Sequence, residues 1–205
     1  MKLLVKTTWT RLVAVALSVA SAIAVAGIRD GATAAQAIPE WVTLFDGSNL
    51  DAFNPVGDAN WTIAEGVVQA DMGNGYLVTK ESYSDFHLRL EFWVDGPANS
   101  GIFIRCADPQ QITADNSYEV NIFDTRPDQS YRTGGIVNVA MPMAIVNTAD
   151  RWNRYEIRAL GPRLTVWVNG SRTVDIEHDG FEQGPIALQY GAGVVKFRNV
   201  QISAR

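Results

Sequence analysis

Regular strand-length alternation, with turn residues between the runs, constrains this chain more than any other feature. Phe86 to Val94 places Phe86, Leu88, Leu90 and Phe92 on one side and His87, Arg89, Glu91 and Trp93 on the other. Trp152 to Ala159 alternates in the same way, with Arg154, Glu156 and Arg158 opposite Tyr155 and Ile157. A period of two belongs to a strand with one buried face. Beyond residue 40 no stretch of 3.6-residue period is long enough for a core helix. Further short runs follow the same plan. Trp41 to Phe45 is stopped by Asp46-Gly47, and residues 61–63 and 67–69 flank Glu65-Gly66. Leu164 to Val168 and Arg172 to Ile176 are joined by Asn169-Gly170, a type I′ hairpin signal, and residues 186–189 and 194–202 close the chain. Such spacing predicts an all-β sandwich or barrel. The longest stretch without clear strands is 125–150, within which Gly134 to Val139 is expected to add one more strand.

The start of the chain reads as an export signal. Lys2, Lys6 and Arg11 precede an apolar run from Leu12 to Ile28, and Ala35-Gln36-Ala37 has the small-residue pattern of a cleavage site. The expected organisation is a signal peptide over 1–37 and one domain over 38–205, exported to the periplasm or secreted, with no membrane association after cleavage. An uncleaved anchor is the alternative, since the apolar run is just long enough to span a bilayer.

Charge and cysteine usage narrow the function. The whole chain carries 17 Lys and Arg against 22 Asp and Glu. Setting aside the four basic residues and one acid of 1–37 leaves 13 and 21, a net charge of −8. A nucleic-acid surface requires the opposite balance. Cys106 is the only cysteine, so an internal disulfide and a cysteine metal cluster are both excluded. A buried, inert thiol is its expected role.

Two neighbouring strands hold the most pointed chemistry: Asn99 to Arg105 and Tyr118 to Asp124. Arg105 and Glu119 sit in otherwise apolar, β-prone runs, where an unpaired charge is costly. They are expected to satisfy each other, to bind a ligand, or both. Asn121 shares the parity of Glu119. Asp124, five residues on, falls on the opposite face of a regular strand unless a bulge intervenes.

These motifs, in order, resemble the 3-keto-disaccharide hydrolase family, also described as 3-keto-glucoside 1,2-lyase/3-keto-2-hydroxy-glucal hydratase. They are Leu44-Phe45-Asp46-Gly47, Asn99-Ser100-Gly101-Ile102 with Arg105, Tyr118-Glu119-Val120, Trp152 to Ile157, Val168-Asn169-Gly170, Gly184 to Gln189 and Phe197 to Val200. The resemblance covers about residues 40–205 and implies a concanavalin A-like jelly-roll sandwich of two antiparallel sheets. It also implies a 3-keto-glucoside or related oxidised sugar as partner, cleaved by C2 proton abstraction, elimination and hydration. Departures from the common pattern are Asn121 in place of Gln, Tyr190-Gly191 in place of His-Gly, and Gly134 to Asn138 in place of a Gly-aromatic segment. On this reading Glu119, Arg105 and Glu91 are the catalytic candidates, Arg105 serving as an enolate clamp. Asn121, Asp124, Gln189, Tyr190 and Trp93 are the substrate-binding candidates, the last two as aromatic platforms. A divalent metal held by carboxylates stays open, because no ligand spacing compels it. Two rivals share the fold. A non-catalytic sugar-binding module would use the same face. A retaining glycosidase would need a second carboxylate about 5–5.5 Å from the first.

Overall fold

The computed structural model describes residues 40–204. The expected signal peptide lies outside the described residues. The described residues form thirteen strands and one 3₁₀ turn. In chain order the strands are β1 Val42–Phe45, β2 Phe53–Gly57, β3 Thr62–Ala64, β4 Val67–Ala70, β5 Gly75–Thr79, β6 Phe86–Val94 and β7 Ser100–Ile104. They continue with β8 Tyr118–Ile122, β9 Arg151–Leu160, β10 Arg163–Val168, β11 Ser171–Glu177, β12 Ala187–Tyr190 and β13 Val195–Ala204. The turn is Gln129–Tyr131. Among the described residues no helix is long and apolar enough to cross a membrane.

Two antiparallel sheets result. The eight-stranded sheet runs β11-β10-β9-β6-β13-β4-β3, with β1 added beside β13; the five-stranded sheet runs β2-β5-β12-β7-β8. Their inner faces pair the alternating residues that the sequence displays. Phe86, Leu88, Leu90, Phe92 and Val94 of β6 are all buried, as are Ile102, Ile104, Val120, Ile122 and Leu188 from the opposing sheet. Each such side chain contributes about 1.5–3 kcal/mol on burial, which is why the period-two pattern fixes the register so firmly. The Asn169-Gly170 hairpin forms as expected, with φ of 51° and 79° at its two residues.

Two strands escape the alternation argument. In β5 the run Gly75 to Thr79 is buried on both faces apart from Tyr76, so it shows no polar side. In β2, Pro55 breaks the run, and β2 is an edge strand, where a missing N–H does no harm. The segment 134–139 does not become a full strand. It lies along the β8 edge through a Val120–Ile136 bridge, with Val137 N–H donating to the Glu119 carbonyl and Gly134 N–H to that of Asn121. The Tyr155 hydroxyl, reaching across from β9, donates to the Asn121 carbonyl (2.5 Å) and accepts from Gly134 N–H (2.9 Å). One side chain of the large sheet thereby locks this loop against the small one.

Candidate functional site

The cross-strand register of the five-stranded sheet assembles two rows on its outer face. One row reads Val56, Tyr76, Gln189, Gly101, Asn121; the next reads Asn54, Val78, Ala187, Phe103, Glu119. The first is mostly polar with a glycine gap. The second runs from Asn54 through three apolar side chains to a carboxylate. Two loops flank them. The loop after β7 lays Ile112 over Phe103, Cys106 and Val78. The loop after β8 runs along Glu119 as described above, and Asn138 of this loop donates to Asp115 of the other at 3.4 Å.

Glu119 is partly buried and, among the described residues, forms no ion pair. Burial pushes its pKa up to about 7, and Arg126 is the one cation that opposes the rise. Gly101 makes room beside it. A Cβ at this glycine would stand 3.3 Å from Glu119 Cγ and 3.4 Å from Gln189 Oε1, so both side chains lean over the same bare backbone. Gln189 Oε1 and Asn121 Oδ1 are buried acceptors with no partner, while Asn121 Nδ2 donates to the Tyr131 carbonyl at 2.5 Å. Tyr76 donates to the Ile112 carbonyl at 3.2 Å and packs edge-on against Phe103, with 5.4 Å between ring centroids. Three expected residues (Glu119, Asn121 and Gln189) therefore share one face.

The remaining expected residues lie elsewhere, each for a definable reason. Arg105 does not reach Glu119. It follows the last residue of β7 with φ of 54°, and this left-handed turn swings its side chain off the outer face. The guanidinium is 2% exposed and donates to the carbonyls of Ser84, Gly161 and Phe181 at 2.6–3.1 Å, with Asp85 Oδ1 at 3.5 Å. It holds one end of the sandwich together and has no donor free for an enolate. Glu91 occupies the outer face of the other sheet. It accepts from Arg198 Nε at 2.8 Å and from Asn199 Nδ2 at 2.9 Å. Burial raises its pKa, but the bonds from Asn199 and Arg198 outweigh that and leave the pKa lowered overall. Trp93 lies on that same distant face beneath Lys196, 4.7 Å from its ring centroid.

Tyr190 points inward. It is 3% exposed in the main core, and its hydroxyl donates to the Gly193 carbonyl at 3.1 Å. Its parity, one residue from Gln189, dictates this. Asp124 sits beyond the end of β8 and clamps the long loop. It accepts from Thr133 Oγ1 (2.6 Å), Thr148 N–H (2.5 Å) and Ala149 N–H (3.1 Å). Cys106 matches its expectation, a buried thiol with its pKa pushed up to about 12. Among the described residues no three His, Cys, Asp or Glu side chains converge as a metal-ligand set. Tyr76 and Phe103 were not anticipated. Phe103 sits in an apolar run without a polar partner side, and Tyr76 belongs to the strand that showed no alternation.

Fold and face together define a lectin-like all-β sandwich with a polar, carboxylate-bearing outer sheet surface. Solved structures agree on the architecture. One is a protein from Parabacteroides distasonis ATCC 8503 assigned provisionally to the glycosyl hydrolases; it is 24% identical, with a TM-score of 0.70 over 81% of this chain and 100% of that one. Another is the carbohydrate binding module CBM66 from Bacillus subtilis, at 15% identity and a TM-score of 0.58, covering 80% and 94% of the two chains. A third is a Bacillus subtilis protein with a galectin-like fold, at 11% identity and a TM-score of 0.63, covering 80% and 94%. No curated protein matches the sequence. Residues 40–203 match the 3-keto-alpha-glucoside-1,2-lyase-like domain, and the chain belongs to that family.

Proposed function

We propose that the outer face of the five-stranded sheet cleaves 3-keto-glucosides by elimination, with Glu119 as the base. The observation that carries this reading is a partly buried carboxylate without a counter-ion, its pKa near 7, beside two amides with unused acceptors. An ordinary surface glutamate is a weaker base toward carbon acids than a desolvated one. Desolvation strengthens it while leaving a useful ionised fraction at neutral pH.

In a sugar oxidised at C3 the C2 hydrogen is acidified, because the electrons it leaves behind delocalise onto the carbonyl oxygen. Glu119 takes that proton. The enolate then expels the C1 substituent, and addition of water across the new double bond completes a net hydrolysis. Gln189 and Asn121, on either side of the Gly101 gap, supply hydrogen bonds that hold the ring hydroxyls in register above the base. With Arg105 committed to backbone carbonyls, stabilisation of the C3 oxygen falls to the amide of Gln189. Hydrophobic contact comes from Phe103, next to Glu119 in its row. Asp124 is occupied by the long loop, so the paired carboxylates of a retaining glycosidase are missing from the reading.

The basic start, apolar run and Ala35-Gln36-Ala37 pattern support export as the setting for this reaction. One observation favours a second reading, a sugar-binding module: Glu119 is the only carboxylate in the two rows, and binding alone requires no perturbed acid. The test is incubation of the purified domain with 3-keto-glucosides and with their unoxidised parents. Release of a 2-hydroxy-glucal intermediate from the oxidised sugars alone supports elimination. A protein that binds sugars yet turns over none of them is the module.

A further inference from the structure

The elimination leaves one proton unassigned, the one that the departing glycosidic oxygen must acquire. We propose that Tyr76 is a second catalytic residue of this site and donates that proton. The inference rests on the reading of Glu119 as base.

Three structural observations support it. First, Tyr76 opens toward the same ground as Glu119. Its register neighbour is Gln189, and its ring meets Phe103, the register partner of Glu119, at 5.4 Å. Strands β12 and β7 lie between β5 and β8, and the Phe103 ring on β7 is the side chain that neighbours both Tyr76 and Glu119. Second, a bond from the hydroxyl to the Ile112 carbonyl at 3.2 Å is long for an O–H donor, so the hydrogen is oriented but loosely held. Third, among the side chains of the two rows, Tyr76 carries the sole O–H group. The amides of Gln189 and Asn121 can donate hydrogen bonds but cannot give up a proton at neutral pH.

The charges work in sequence. Burial raises the Tyr76 pKa most, a hydrogen bond with the Gln189 side chain works against that, and the negative charge of Glu119 adds to the rise; the net rise keeps the proton in place while the base is ionised. When Glu119 accepts the C2 proton its charge disappears. At that moment Tyr76 becomes the stronger acid, as the leaving oxygen takes up the electron pair of the C1–O bond. The O–H bond of Tyr76 breaks and an O–H bond forms on the aglycone, leaving a phenolate and a neutral Glu119. Hydration reverses both transfers. Water gives its proton to the phenolate, its oxygen bonds to C1, and Glu119 returns its proton to C2. One water is consumed, and both side chains recover their starting states.

The test is a series of 3-keto-glucosides whose aglycones range from nitrophenol to simple alcohols. General-acid assistance is typically worth about 10²–10⁴-fold. It matters most for poor leaving groups. The wild type is expected to show a shallow dependence of kcat on aglycone pKa. Tyr76→Phe is expected to lose about 10²-fold or more on alkyl glycosides and only a few-fold on nitrophenyl ones. Glu119→Gln should depress both alike. A steep dependence already present in the wild type overturns the assignment, as does an equal loss by Tyr76→Phe on every aglycone. Either of those results leaves the Glu119 reading intact. If Glu119→Gln retains full activity on every aglycone, that reading itself falls.

Discussion

The two outer faces of this sandwich use the same residue types to opposite ends. On the eight-stranded sheet nearly every charge is already spent. Glu91 is held by Arg198 and Asn199, Glu156 lies 3.2 Å from Arg154, and Asp175 is shared by Arg163 and Arg172. The tryptophans there carry cations on their faces. Arg89 stacks over Trp41 at 3.8 Å and Arg198 over Trp152 at 3.9 Å, with Lys196 above Trp93 as described. On the outer face of the five-stranded sheet the polar groups are fewer and only partly paired. Among the described residues Glu119 forms no ion pair, and the side-chain oxygens of Gln189 and Asn121 accept no hydrogen bond. The rich array of charges is therefore a paired, stabilising surface, whereas a single desolvated acid with a raised pKa is the feature on the other face on which the proposed chemistry rests.

Four substitutions or conditions can break this contrast. The largest effect is expected from Glu119→Gln, which should lower turnover of 3-keto-glucosides by about 10² or more while leaving the fold unchanged by circular dichroism. An active variant would move the chemistry to another part of the molecule. Next is Arg105→Ala, which should cost on the order of 3–5 kcal/mol in chemical denaturation, because three buried carbonyls lose their donor. A stable variant with a purely catalytic defect would return Arg105 to the active site.

Third is pH. For proton abstraction by Glu119, kcat/KM should rise through about pH 7 and then level off, following ionisation of the base. The stability consequence has its own sign. The folded-state pKa stands above the unfolded value of about 4.5, so this group's contribution is complete below about pH 4.5 and is lost as pH rises through about 7. The wild type should lose up to about 2–3 kcal/mol relative to Glu119→Gln between pH 5 and 8, measured by urea denaturation. Identical pH dependence in the two proteins would mean that the carboxyl is well solvated. The smallest effect belongs to Glu91→Gln, a half-exposed pair worth about 1 kcal/mol or less, with turnover unchanged. A large catalytic loss there would erase the distinction between the faces.

Much of the fold was legible because one-sided burial writes itself as alternation. β6, β9 and the β10–β11 hairpin are examples, and turn chemistry such as Asn169-Gly170 punctuates them. β5 was opaque because burial on both faces erases the period, and Tyr76 went unnoticed with it. For the site, parity within a strand was a sound guide. It put Asn121 with Glu119 and turned Tyr190 away from Gln189. Parity failed at Arg105, where a left-handed residue at the strand end redirects the side chain, a change that the residue type alone does not announce. It also could not say which sheet a strand joins. Glu91 and Trp93 have the outward parity expected of them, but their strand is in the other sheet.

The Tyr155 hydroxyl, bonded at once to the Asn121 carbonyl and to Gly134 N–H, gives strand β8 and the loop beside it a common anchor in the opposite layer. Residues 125–128 lie outside that anchor and include Arg126, the cation that opposes the rise of the Glu119 pKa. Remodelling there is expected to change the charge and surface bordering Glu119 while Asn121 stays pinned from the opposite sheet.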